Sequence, residues 1–128
     1  MGEPKALTKA LTHDLTGLVR MELDEAALAA VEWRDFGKGV QLGKLARQGK
    51  AGLVLYKVDA DAPRDAFMRH RHAGGEAYVV LKGVIADEFG RYPAGSFVWL
   101  PPGSRHQPWT EGETLVLVLW PEGVKMTR

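Results

Sequence analysis

The stretch His70-Arg71-His72-Ala73-Gly74-Gly75-Glu76-Ala77-Tyr78-Val79-Val80-Leu81-Lys82-Gly83 decides how this chain is read. On a strand, residues i and i+2 project to one face, so His70 and His72 point together while Arg69 and Arg71 point to the other side. Gly74 and Gly75 permit a tight reversal. Glu76 then opens the next strand and can return to the same interior. Tyr78 and Val80 share its parity, and Met68 shares the parity of the histidines, so these three are expected to line the cavity. Two imidazoles and a carboxylate converging in a barrel make a sensible ligand set for a divalent metal. A second cassette, Gly95-Ser96-Phe97-Val98-Trp99-Leu100-Pro101-Pro102-Gly103-Ser104-Arg105-His106, has a proline-glycine turn that would bring His106 back from an adjoining strand as a fourth ligand.

Outward from these cassettes, short apolar runs recur at Leu53–Val58, Ala77–Leu81, Val84–Ala86, Ser96–Leu100 and Leu115–Trp120. Turn chemistry separates them at Asp59–Pro63, Ala73–Gly75, Asp87–Gly90, Pro101–Gly103 and Glu111–Gly112. Many short strands with closely spaced glycine and proline turns predict an all-β sandwich or barrel, and leave no room for the crossover helices of a βαβ protein. Asp87 and Glu88, just ahead of Gly90, read as a hairpin turn. The runs Ala77–Leu81 and Leu115–Trp120 are apolar at every position and so should be covered on both faces. One face looks into the barrel; the other needs the amino-terminal segment or a second subunit. Parity cannot be carried through Pro101-Pro102-Gly103, which leaves open whether Phe97, Trp99 or Trp109 faces the pocket. Before residue 50 the pattern is less regular. Asp24 can cap a short helix through Glu25–Ala30, and Gly37, Gly39 and Gly43 interrupt anything longer.

Composition narrows the function classes. A chain of 128 residues argues for one domain, with the barrel pattern over about 30–122 and an amino-terminal extension over 1–29. Formal net charge is +1 with neither sign gathered into a run, which disfavours nucleic acid and anionic membranes as partners. The chain has no cysteine, so disulfides, thiolate metal sites and cysteine nucleophiles are excluded. No stretch approaches the roughly 20 apolar residues of a membrane span, and a cytoplasmic setting is the default expectation. His13 stands alone in a polar segment and reads as an ordinary exposed residue.

Both cassettes match the two cupin motifs. The first is carried by His70, His72, Glu76 and Gly83, the second by Gly95, Pro101, Gly103 and His106, with the family spacing at each position. Two departures stand outside the proposed ligand set: Arg64 replaces a glycine usual ahead of the first histidine, and Thr110 replaces an asparagine usual at the end of the second motif. The run from His70 to Gly83, followed by Asp87-Glu88-Phe89-Gly90-Arg91-Tyr92-Pro93-Ala94-Gly95-Ser96, resembles the ChrR-like cupin branch. More loosely it resembles the small cupin dioxygenases that cleave acetylacetone and related dicarbonyl compounds. The resemblance spans roughly residues 30–120.

It implies an RmlC-like jelly-roll barrel holding one divalent metal ion per chain on His70, His72, Glu76 and His106. Zinc, iron, nickel, manganese and copper all suit imidazole and carboxylate donors. Glu76 can alternatively orient a histidine or a bound water without touching the metal. Two functions follow: a metal-dependent dioxygenase-like enzyme acting on a small oxygenated or dicarbonyl compound, or a non-enzymatic metal-binding, sensory module. A metal-free small-ligand binder is a third. No catalytic residue is assigned. A ChrR-type factor also carries an amino-terminal sigma-binding domain with cysteines, so a stand-alone cupin, pairing as a homodimer, is expected here. Replacing His72 or His106 with Ala is expected to lower the stability of the metal-loaded protein and to do little after chelation, whereas equal losses in both states would mean that these side chains serve packing.

Overall fold

The computed structural model describes residues 20–67 and 73–123 in full, and the backbone alone of the strands at 13–14, 70–71 and 125–126. Met68, Arg69 and His72 lie outside the described residues, as do the side chains of His13, His70 and Arg71. The one described helix, α1 (Glu25–Ala30), forms where its cap predicts. Asp24 is extended and its Oδ1 accepts the Ala27 N–H at 2.9 Å, while Val31 returns to extended backbone and ends the helix. The other regular elements are strands: β1 (His13–Asp14), β2 (Trp33–Asp35), β3 (Val40–Gln48), β4 (Ala51–Val58), β5 (His70–Arg71), β6 (Glu76–Asp87), β7 (Gly90–Pro93), β8 (Phe97–Leu100), β9 (Arg105–His106), β10 (Trp109–Trp120) and β11 (Lys125–Met126).

The larger sheet runs β1-β3-β4-β10-β6-β7, with β2 added to β3 and β8 added to β6; β11, β5 and β9 form a second sheet. Among the described strand pairs only β1 on β3 is parallel. The fold is all-β, as expected.

Two expectations need correction. Ala77–Leu81 and Val84–Ala86 are parts of one strand, β6, and the turn expected at Glu111–Gly112 lies inside β10. The cause is a pair of glycines with left-handed backbone, Gly83 at φ 80° and Gly112 at φ 76°, at a slip in the β6–β10 register between Glu111 and Leu115. Irregularities of this kind bend a strand and change its phase without ending it. A Cβ on Gly83 would lie 2.3 Å from the Glu113 carbonyl oxygen and 2.5 Å from Thr114 Oγ1, so no other residue lets the two strands approach this closely. Inward positions on β6 are accordingly even before the bend (Glu76, Tyr78, Val80) and include odd ones after it (Ile85, Asp87).

No longer helix follows α1 among the described residues, as expected, and Gly43 lies within β3, opposite Trp33, where a Cβ would come within 2.4 Å of Val31 Cγ1. It is the point at which the amino-terminal segment crosses the sheet. Val31 and Trp33 join Met21, Leu23 and Leu28 over Leu45 and Leu55, together with Leu53, Leu115 and Leu117, so this segment covers the outer face of β4 and β10. The interior cluster comprises Leu42, Val54, Tyr78, Val80, Ile85, Leu100, Val116 and Val118. Side chains of this kind stabilise by about 1.5–3 kcal/mol each when fully buried. Among the described residues, nothing covers the outer face of β6 in this way. Trp99 and Phe97 of β8, opposite Ala77 and Val79, are 48% and 66% exposed, with Leu81 beside them.

Candidate metal centre

Glu76 enters β6 directly from the Gly74-Gly75 turn. Gly75 takes φ 89°, and a Cβ there would lie 2.4 Å from the Trp99 ring, so the reversal that delivers Glu76 depends on glycine. The carboxylate is inside, with the residue only 5% exposed. Its Oε2 accepts the Trp120 indole N–H at 2.5 Å. Its Oε1 faces His106 Nε2 at 3.8 Å, beyond hydrogen-bond length.

His106 ends β9 and is 1% exposed. The other nitrogen of its ring, Nδ1, lies 3.1 Å from Asp87 Oδ2. Asp87 is itself held at Oδ1, which accepts the Phe89 backbone N–H at 2.8 Å and the Tyr92 hydroxyl at 3.2 Å. On β5, His70 stands directly opposite His106 in the antiparallel register, with Met126 of β11 on its other side. Of the four expected ligands, the described side chains of Glu76 and His106 come together. The imidazole of His70 and all of His72 lie outside what is described. Among the described residues no group of three or more histidine, aspartate and glutamate side chains is arranged to hold a metal ion by itself.

Tyr78 and Val80, two of the expected lining residues, are buried in the interior cluster; Met68 lies outside the described residues. The Tyr78 hydroxyl is 98% hidden with its residue yet has no hydrogen-bond partner among the described residues. Burial, and then the charges of Asp87 and Glu76, push its ionisation far above the ordinary phenol range, so it stays a neutral O–H donor. Tyr56 is pushed up in the same way by burial and by Glu76, and packs edge-on against Trp120 at 6.0 Å.

Sequence reasoning missed Asp87, Tyr92 and Trp120. Asp87 does close a turn, through its bond to Phe89 N–H, but the phase change at Gly83 also carries its side chain inward to His106. Of the three aromatics near the second cassette, Phe97 and Trp99 are exposed. Trp109 instead lies 3.8 Å beneath the Arg64 guanidinium, where Asp65, Glu88 and Gln107 join them to line a cleft of about 410 Å³. Glu88 accepts the Gln107 backbone N–H at 3.0 Å, tying this cleft to the segment just after His106.

The two sheets place a polar cluster at the junction of β6 and β9, and comparison with known proteins supplies the family. The family model described as the ChrR Cupin-like domain matches residues 21–123, and the chain belongs to that family. A chain in the crystal structure of Rhodobacter sphaeroides SigE in complex with the anti-sigma ChrR is 28% identical, with a TM-score of 0.63. The match covers 77% of this chain and 51% of that one, so the present chain spans about half the length of this relative. An acetylacetone dioxygenase from Acinetobacter johnsonii is 16% identical at a TM-score of 0.65, over 75% of this chain and 72% of that chain. The polyketide cyclase RemF from Streptomyces resistomycificus is 17% identical at 0.59, over 78% and 82%. These two share the fold. No curated protein matches the chain. Among the described residues no helix is long and apolar enough to cross a membrane.

Proposed function

We propose that this cupin holds one divalent metal ion on His70, His72, Glu76 and His106 and acts on a small oxygen-bearing molecule seated against Tyr78 and Val80. The observation that carries the reading is the pair Glu76 Oε1 and His106 Nε2, both buried and 3.8 Å apart. Two ligands each about 2.0–2.2 Å from a shared ion can be no more than roughly 4.3 Å apart, so this pair fits one. The donor chemistry fits as well: oxygen and nitrogen without thiolate, suited to zinc or iron and compatible with nickel, manganese or copper. The backbone of His70 is directly opposed to that of His106 in the β5–β9 register. Trp120 holds the Glu76 carboxylate by its second oxygen, which fixes the direction of the first.

When bound, the metal supplies Lewis acidity toward a carbonyl or enol oxygen. The rest is the work of the chain. Tyr78, a neutral donor without a described partner, would bind and orient a ligand oxygen. Val80, Leu42 and Val116 would exclude water around it. This arrangement favours the dioxygenase-like enzyme. The family and the ChrR relative favour a second reading, a non-enzymatic metal-binding, sensory module.

Elemental analysis of protein purified without added metal should give close to one divalent ion per chain, and a value near zero would overturn the metal reading. Dioxygen consumption by the iron-loaded protein with acetylacetone as a dicarbonyl probe then separates the two functions; none is expected of the sensory module.

A homodimer goes with this reading, joined through the open outer face of β6 and β8, where Phe97, Trp99 and Leu81 are exposed. Sedimentation should give twice the chain mass for the wild type and a shift to monomer for Trp99→Glu. A monomeric wild type would remove the dimer from the proposal.

A further inference from the structure

We propose that Asp87 is a positioning residue that decides which nitrogen of His106 carries the hydrogen, and so whether a lone pair faces Glu76, and that it does so because its own carboxylate is clamped at the opposite oxygen. The inference rests on the metal reading only for its consequence; the hydrogen position it concerns exists in the metal-free protein. Asp87 Oδ2 lies 3.1 Å from His106 Nδ1. A carboxylate accepts hydrogen bonds, so Nδ1 carries the hydrogen. A neutral imidazole with its hydrogen on Nδ1 has its lone pair on Nε2, and Nε2 is the nitrogen that faces Glu76 Oε1. Only a lone pair ligates a metal, so this form is the one able to bind.

The clamp makes the assignment testable by an isosteric change. Asp87 Oδ1 accepts from the Phe89 N–H and from the Tyr92 hydroxyl. In Asp87→Asn, the amide oxygen is retained by those two donors, and the NH₂ takes the place of Oδ2 opposite Nδ1. Two donors cannot face one another, so the ring must accept at Nδ1 and move its hydrogen to Nε2. The hydrogen then points toward Glu76, where the lone pair was needed. The same replacement beside the histidine of a serine protease triad traps the wrong tautomer. Size and shape barely change, so packing is kept while the metal-facing nitrogen is switched off.

The test is long-range proton–nitrogen correlation NMR of the ¹⁵N-histidine-labelled, metal-free full chain, which reads directly which ring nitrogen carries hydrogen. Wild type should show His106 with hydrogen on Nδ1, and Asp87→Asn should show it on Nε2. Tyr92→Phe, which removes one clamp donor and keeps the carboxylate, should retain the wild-type form. Zinc affinity by competition with a chelator should fall about ten- to a hundredfold in Asp87→Asn. A wild-type ring with its hydrogen on Nε2 overturns the inference, as does an Asp87→Asn protein that keeps both the wild-type tautomer and its zinc affinity. If Asp87→Asn fails to fold, the wild-type tautomer decides alone. If the tautomer reverses as stated but neither protein binds zinc, the role of Asp87 stands and the metal reading fails.

Discussion

His106→Ala should destabilise the protein by about 3 kcal/mol even when every trace of metal has been chelated. Ligation alone would confine the loss to the metal-loaded form, and the structure gives a reason why it does not. His106 is almost wholly buried and is the partner of a buried carboxylate, Asp87. Removing the ring leaves Asp87 Oδ2 without its donor in a site closed to water, which costs about 1–3 kcal/mol for a polar group and more for a charged one. The cavity left by the imidazole adds to this. Urea unfolding in excess chelator reads the effect directly. Adding Asp87→Leu to His106→Ala should recover part of the loss, because two apolar side chains leave no orphaned charge. A loss under about 1 kcal/mol in the metal-free protein would mean that the Asp87 contact contributes little.

The second large effect lies away from the polar cluster. Gly83→Ala should cost about 3 kcal/mol or more, whereas Gly112→Ala should cost only about 1–2 kcal/mol. Both glycines have left-handed φ, so each substitution meets the same backbone penalty of about 1–2 kcal/mol. They differ in what surrounds them. A methyl group at Gly112 meets nothing within 4 Å, while one at Gly83 runs into the Glu113 carbonyl and Thr114 of the neighbouring strand. Backbone on the partner strand cannot move aside as a long side chain can. Because the bend at Gly83 brings Asp87 in phase with the interior, Gly83→Ala should also weaken zinc binding. Equal unfolding free energies for the two alanine variants would show that β10 yields, and that the bend is soft.

Much of this was legible in the residues. The spacing of the two cassettes identifies the family, and the Asp24 cap locates α1 to the residue. What was not legible depended on long-range contact. Periodicity on β6 fails at Gly83, so no pattern along the chain could bring Asp87 inward. The place of Gly43 within a strand is explained only by the crossing of Val31 and Trp33. Trp120 sits at the far end of an apolar run whose register on β4 and β6 must be known before its indole can be placed beside Glu76. The expectation that doubly apolar strands need cover was met over β10 by the amino-terminal segment, while among the described residues Phe97 and Trp99 stay exposed beside β6.

The bond from Trp120 to Glu76 joins residues 44 positions apart, and that from His106 to Asp87 joins residues 19 apart. Such pairings form late on a folding route, since each must overcome the entropy of closing a long loop before it contributes anything. The adjacent β3–β4 hairpin can zip up first without creating any of the polar cluster. A cation added to the unfolded chain would therefore find no template to nucleate around, and should leave the refolding rate unchanged while slowing unfolding. On the proposed metal reading, assembly comes first and loading follows.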